Sequence, residues 1–126
     1  MAFKLIVHPS PTTEDFAGAD RTNPAPGDEF LLIDRPLINP KTSKQVGRLI
    51  ARLTFIETAS GDPLVLGNAD HHLKRGVISV QGSWRFSEPK PVFAIIGGTR
   101  KYRRARGTIT FESINPSTEQ FTYRVR

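Results

Sequence analysis

Cysteine is absent from the 126-residue chain, which excludes disulfides, thiolate nucleophiles and cysteine-ligated zinc together. Ten glycines and ten prolines interrupt the chain too often for long helices. No apolar run nears the roughly 18 residues that a membrane span needs. Leu5-Ile6-Val7 is also too short for the apolar region of a secretion signal, so a soluble, cytoplasmic protein with no membrane partner is expected. Histidine is scarce, with His8, His71 and His72 the only three. Adjacent residues on a strand face opposite sides, so Asp70-His71-His72 does not assemble a metal site, although one of the pair could face a cavity. No metal and no cofactor are expected. P-loop, Rossmann and Ser-His-Asp patterns are missing from the strand–helix contexts they require.

What remains is a chain of short extended segments. Its length fits one domain, residues 1–126, with one core. Ala2–His8 opens as a strand, and residues 9–27 form a long proline-rich loop pinned by Phe16. Glu29–Ile38, Val46–Thr58, Leu64–Leu73, Val77–Phe86, Pro91–Ile96, Arg103–Ser113 and Glu119–Val125 follow as strands separated by turn-forming residues. Gly67-Asn68 is expected to interrupt the strand that holds it. In Val46–Thr58, Leu49, Ala51, Leu53 and Phe55 share the more apolar face and point to the core. A helix competes over this stretch, but Thr54-Phe55-Ile56 and the flanking turns favour the strand. In Val77–Phe86 the inward face is Ile78, Val80, Gly82, Trp84 and Phe86. Seven or eight strands at regular spacing predict an all-β protein, either a sandwich or a single antiparallel β-barrel. A barrel is preferred because closure removes exposed sheet edges.

The net charge is +6 and the isoelectric point near 10.2. Arg100, Lys101, Arg103, Arg104 and Arg106 crowd within seven residues. Such a charge attracts polyanions whatever the fold, and a polyanion- or nucleic-acid-binding barrel is one reading of the chain. The aromatic residues alternate into a core rather than onto an open face, which argues against a nucleic-acid partner.

Around that cluster the residues run Gly97-Gly98-Thr99, then Tyr102, then Ala105-Arg106-Gly107. This order resembles the signature of plant dirigent proteins and the wider allene oxide cyclase barrel superfamily. Gly27-Asp28, Asp34, Val46-Gly47-Arg48 and Gly76–Gly82 are similar to further family segments, so the likeness spans residues 27 to 113. Two positions depart from the pattern: Arg100 stands where the family has a fourth glycine, and Lys101 where some dirigent proteins have an acid. The specific reactions of the plant proteins are therefore not carried over. The resemblance implies a single eight-stranded antiparallel barrel with a central apolar cavity, assembled as a homo-oligomer, dimer or trimer. It also implies a cofactor-independent cyclase or isomerase that controls ring closure or stereochemistry of a hydrophobic small molecule, in secondary metabolism. A non-catalytic binding or dirigent-type templating barrel is the alternative, and an enzyme is the favoured reading of the two.

Arg106 is the first candidate catalytic residue. A guanidinium in an apolar barrel would be a fixed donor fork for a developing oxyanion. Strict alternation with Ile109 and Phe111 would turn it outward, unless a bulge at Gly107 reversed it. Asp34 could accept a proton or pair with Arg106, and Tyr102 could donate a hydrogen bond. Trp84, Phe55, Phe93 and His72 are the candidate substrate-binding residues.

Overall fold

The computed structural model describes residues 1–126. Nine strands form one antiparallel sheet: β1 (Ala2–Val7), β2 (Glu14–Ala17), β3 (Glu29–Ile38), β4 (Gln45–Glu57), β5 (Leu64–Leu73), β6 (Gly76–Arg85), β7 (Val92–Gly98), β8 (Gly107–Asn115) and β9 (Thr118–Val125). Their order is β1-β9-β8-β7-β6-β5-β4-β3-β2, and β1 meets β3 through Ile6 and Ile38. Eight strands therefore close a barrel, with β2 as an extra stave on β3. The only helical pieces are two 3-10 turns, Pro11–Thr13 and Arg100–Tyr102, and no helix is long and apolar enough to cross a membrane.

The alternation expected in β4 and β6 is observed. Leu49, Ala51 and Phe55 are buried while Arg48, Ile50, Arg52 and Ile56 are exposed; Ile78 and Val80 are buried on β6. Three boundaries differ from expectation. Residues 9–27 are not all loop, because Glu14–Ala17 pairs with Phe30 and its neighbours as β2. β5 is unbroken at Gly67-Asn68, since Gly67 pairs in register with Leu53 on one side and Gly82 on the other. The strand expected from Arg103 begins only at Gly107, because Arg100–Tyr102 is wound into a 3-10 turn.

One end of the barrel is filled. Leu5, Leu37, Ile78, Ile95, Ile109 and Tyr123 form the core there, with Tyr102 as a plug. The Gly97–Gly107 stretch builds this floor. A Cβ on Gly98 would lie 2.5 Å from the carbonyl oxygens of both Val77 and Tyr102, so only glycine lets the turn seat against β6. Thr99 Oγ1 accepts a hydrogen bond from the Val77 N–H at 3.0 Å, and the Thr99 N–H donates to the Val77 carbonyl at 3.0 Å. Gly107 has φ +121, and a Cβ there would overlap the Arg124 carbonyl. The motif closes the barrel by backbone packing, and the opposite end stays open.

Candidate active site

The open half of the barrel holds a cavity of about 340 Å³, at the small end of the usual range for ligand sites. Its wall is mostly aromatic and aliphatic: Phe30, Trp84, Phe86, Phe93, Phe111 and Phe121 supply the rings. Two cross-strand partners, Gly67 and Gly82, let two of these rings lie against the wall. A Cβ on Gly67 would come within 2.7 Å of Leu53 Cδ2 and 3.1 Å of the Trp84 ring; one on Gly82 would sit 2.9 Å from Phe93 Cδ1. Trp84 and Phe93 meet edge to face at 5.0 Å.

Polar groups enter this wall at two places. The first follows from an irregularity in β3. Leu32 pairs with Ala51 and Arg35 with Leu49, and the register shifts between them. Asp34 takes φ +50 at the shift, a conformation that non-glycine residues adopt rarely and that short polar side chains tolerate best. Ile33 and Asp34 both point outward as a result, and Arg35 turns into the barrel, where only 3% of it is exposed. Arg35 Nη2 donates to Glu14 Oε2 at 2.5 Å and Nε to Thr13 Oγ1 at 3.1 Å; Nη1 lies 3.8 Å from Glu119 Oε1.

The position of this cluster follows from topology. β1 pairs with β9 as far as Val7 and Glu119, after which the chain turns and β2 pairs with β3 alone. Arg35 therefore bridges the seam between β2 and β9 next to the cavity. The two carboxyls are pushed in opposite directions. Burial raises Glu119, against the pull of Arg35 and with the support of the Glu14 charge. Burial would also raise Glu14, but hydrogen bonds from Arg21 and Arg35 outweigh it and hold that carboxyl below its ordinary value. Unequal carboxyls at one site divide naturally into a proton-bearing acid and an ionised base.

The second place is His71, 1% exposed at the inner end of the cavity. Its Nδ1 shares a hydrogen bond of 2.8 Å with the Tyr123 hydroxyl. No buried side-chain nitrogen or oxygen lacks a partner, so the remaining ring nitrogen, Nε2, opens onto the cavity. Desolvation, followed by the charge of His72, lowers the imidazole pKa to about 3; it is neutral at physiological pH. Burial likewise raises the Tyr123 phenol well above its ordinary value.

Trp84 and Phe93, two of the expected substrate-binding residues, line this cavity. Phe55 is buried behind the mouth, against Phe16 and Phe86. The other expected residues lie elsewhere. Arg106 is exposed: Gly107 and Thr108 pair in unbroken register with Val125 and Arg124, so no bulge reverses the alternation that turns Ile109 and Phe111 inward. Its backbone is tied to Arg126. Asp34 is exposed at the β3 irregularity, 3.6 Å from Arg48 and not paired with Arg106. Tyr102 is buried in the floor. His72 lies outside the cavity wall, because it alternates with His71, which points in. Sequence reasoning missed Glu14, Arg35 and Glu119. Glu119 was readable, since it shares parity with the inward Phe121, Tyr123 and Val125. Arg35 gave a fainter signal, an Asp-Arg-Pro break inside an apolar run.

No family model and no curated protein matches the chain. Solved structures do. A pyocyanin demethylase superposes with TM-score 0.83 at 19% identity, covering all of both chains. A pterocarpan synthase dirigent protein gives 0.77 at 20% identity, over 99% of this chain and 86% of its own. An exo-specific intermolecular Diels-Alderase gives 0.70 at 14% identity, over 99% and 98%. At these identities the likeness concerns the fold, and the chain shares its barrel with dirigent-like, cyclase-like and Diels-Alderase proteins.

Proposed function

We propose that this barrel is a cofactor-independent cyclase or isomerase acting on a hydrophobic small molecule in natural-product metabolism. The observation that supports this most is an apolar cavity bordered by a buried arginine between two unequal carboxyls. In such a site the wall holds the substrate in a near-attack conformation. Glu119 keeps its proton to higher pH than an ordinary glutamate, gives it to a substrate oxygen as negative charge develops there, and recovers one from the substrate as the product forms, so that no net proton is gained or lost. Glu14, ionised, fixes the Arg35 fork, and Arg35 stabilises the negative charge that forms. His71 Nε2 orients a polar group at the inner end. Trp84 and Phe93 pack on the substrate body. The protein works as a homo-oligomer, a dimer or trimer, which sedimentation would test.

The test is turnover by purified protein with polyketide-like and oxylipin-like compounds, looking for a product whose mass equals that of the substrate. Glu119→Gln is expected to lower kcat by about 100-fold or more without loss of fold or of ligand binding. A variant that keeps full activity would remove Glu119 from the chemistry. A templating barrel without bond-making is the second reading, favoured by the position of Arg35 on the seam, where its bonds to Thr13 and Glu14 also serve structure. It predicts saturable binding with no isomeric product.

A further inference from the structure

The charges of the molecule are sorted by end. At the closed end lie Lys41 and Lys44 of the β3–β4 turn and Lys74 and Arg75 of the β5–β6 turn. The same end holds the five cations of Arg100–Arg106, with Arg124 and Arg126 beside them. Together these are eleven of the 18 lysines and arginines, and all are exposed. The segments that build this end, residues 36–47, 71–78, 96–107 and 122–126, contain no Asp or Glu. None of the eleven takes part in an ion pair. Most of the acids sit toward the mouth, where Glu14, Glu29, Glu57 and Glu112 are paired with arginine or lysine.

Nine of these cations lie on segments that hydrogen bonds join, and Lys41 and Lys44 stand on the neighbouring hairpin, whose Gly47 pairs with Leu73 of β5. The Lys101 N–H donates to the Arg75 carbonyl at 3.1 Å, and Arg106 and Arg126 exchange backbone hydrogen bonds at 2.9 and 2.7 Å. An unpaired field of one sign costs self-repulsion in the free protein. Mobile ions screen it in part, and a dense polyanion relieves it further with release of counterions.

We infer that the closed end is a second binding site, for the phosphodiester backbone of nucleic acid, read without regard to sequence. Guanidinium forks, seven of the eleven groups, suit phosphate oxygens. Three rivals fit less well. Exposed apolar side chains at or beside this end are few, Met1, Val46 and Ile96, against eleven exposed cations, a poor match to the wedge a bilayer takes or to the apolar centre of a protein–protein interface. Met1 is exposed at this end, while Val46 and Ile96 belong to the outer wall of β4 and β7. A second copy offers its mouth, where Glu14, Glu29, Glu57, Glu112 and Glu119 are paired already and the unpaired Asp15, Asp20, Asp28, Asp62 and Glu88 are divided among β2, the β2–β3 loop and the β4–β5 and β6–β7 turns. Phosphate contacts need no apolar centre and tolerate water, and the lack of exposed aromatic rings at this end removes base stacking as a source of preference.

The test uses the whole protein and fluorescent 20-base-pair duplexes of unrelated sequence, with binding followed by anisotropy between 50 and 200 mM salt. Duplexes of different sequence should bind alike, with affinity falling steeply as salt rises. Arg103→Gln/Arg104→Gln/Arg106→Gln should weaken binding at least about tenfold at 100 mM salt and flatten the log–log salt slope by about 2.7, at 0.9 per lost phosphate contact. Trp84→Ala, in the cavity, should leave duplex binding unchanged. Absence of duplex binding at 50 mM salt, or binding that the triple variant keeps, would overturn the proposal. Tighter binding to phosphatidylserine vesicles or polyglutamate than to duplex would do so too.

Discussion

Arg35 is the residue on which the site depends most. It is nearly unexposed, and its partners come from β2, from the turn before it and from β9. Removing Arg35 leaves Glu119 without its cation and Glu14 with Arg21 alone, and breaking a buried ionic group at one member is costly. Arg35→Met should therefore destabilise the protein by about 3 kcal/mol, measured by urea denaturation; a loss below about 1 kcal/mol would mean that the cluster is solvated. His71 sets the acid limit of stability. Its imidazole is held neutral in the fold with a pKa of about 3, so below about pH 6.5 the unfolded chain binds the proton first. Its contribution is present above that pH and declines as pH falls toward 3. Glu14, whose pKa is lowered, declines in the same direction. Glu119 works the other way, because a raised pKa adds stability at low pH that is lost as pH rises through it. His71→Gln should flatten the fall in Tm between pH 7 and pH 4, and an unchanged slope would assign that fall to other groups.

At the scale of elements, the turn between β7 and β8 shows how a functional expectation can rest on a structural motif. Gly98, Thr99, Tyr102 and Gly107 are held by backbone packing, backbone hydrogen bonds and a buried ring, and the arginine beside them faces water. Gly107→Ala should cost several kcal/mol, since a positive φ and a clash with the Arg124 carbonyl coincide there. Gly61 also has positive φ, +82, but a Cβ there meets nothing within 4 Å, so Gly61→Ala should cost only about 1 kcal/mol. Equal losses in Tm would contradict the role given to the floor. The alternation of β4 and β6 was legible because apolar residues fall on one side for several turns of the pleat. The site was less so, since one extra residue in β3 exchanges the faces of everything after it. Nothing in the composition of Pro9–Gly27 marks Glu14 as paired to a strand.

At the scale of the molecule, the barrel is divided into a packed floor, an apolar chamber and a mouth bordered by ion pairs. Strand count and spacing made this architecture readable; the cavity was not, because a filled and a hollow barrel show the same inward pattern. What hollows the chamber is small residues at chosen inward positions, Ala51, Ala69, Gly67 and Gly82. The chain has one tryptophan, and it lies in the chamber wall, so occupancy can be read directly. Titrating wild type and Ala69→Phe with neutral hydrophobic polyketide-like and oxylipin-like compounds, while following Trp84 fluorescence, tests the chamber as the working site. A saturable one-to-one change in the wild type that disappears in Ala69→Phe is the predicted result. A flat response to every compound, or one that survives the filled chamber, would contradict it.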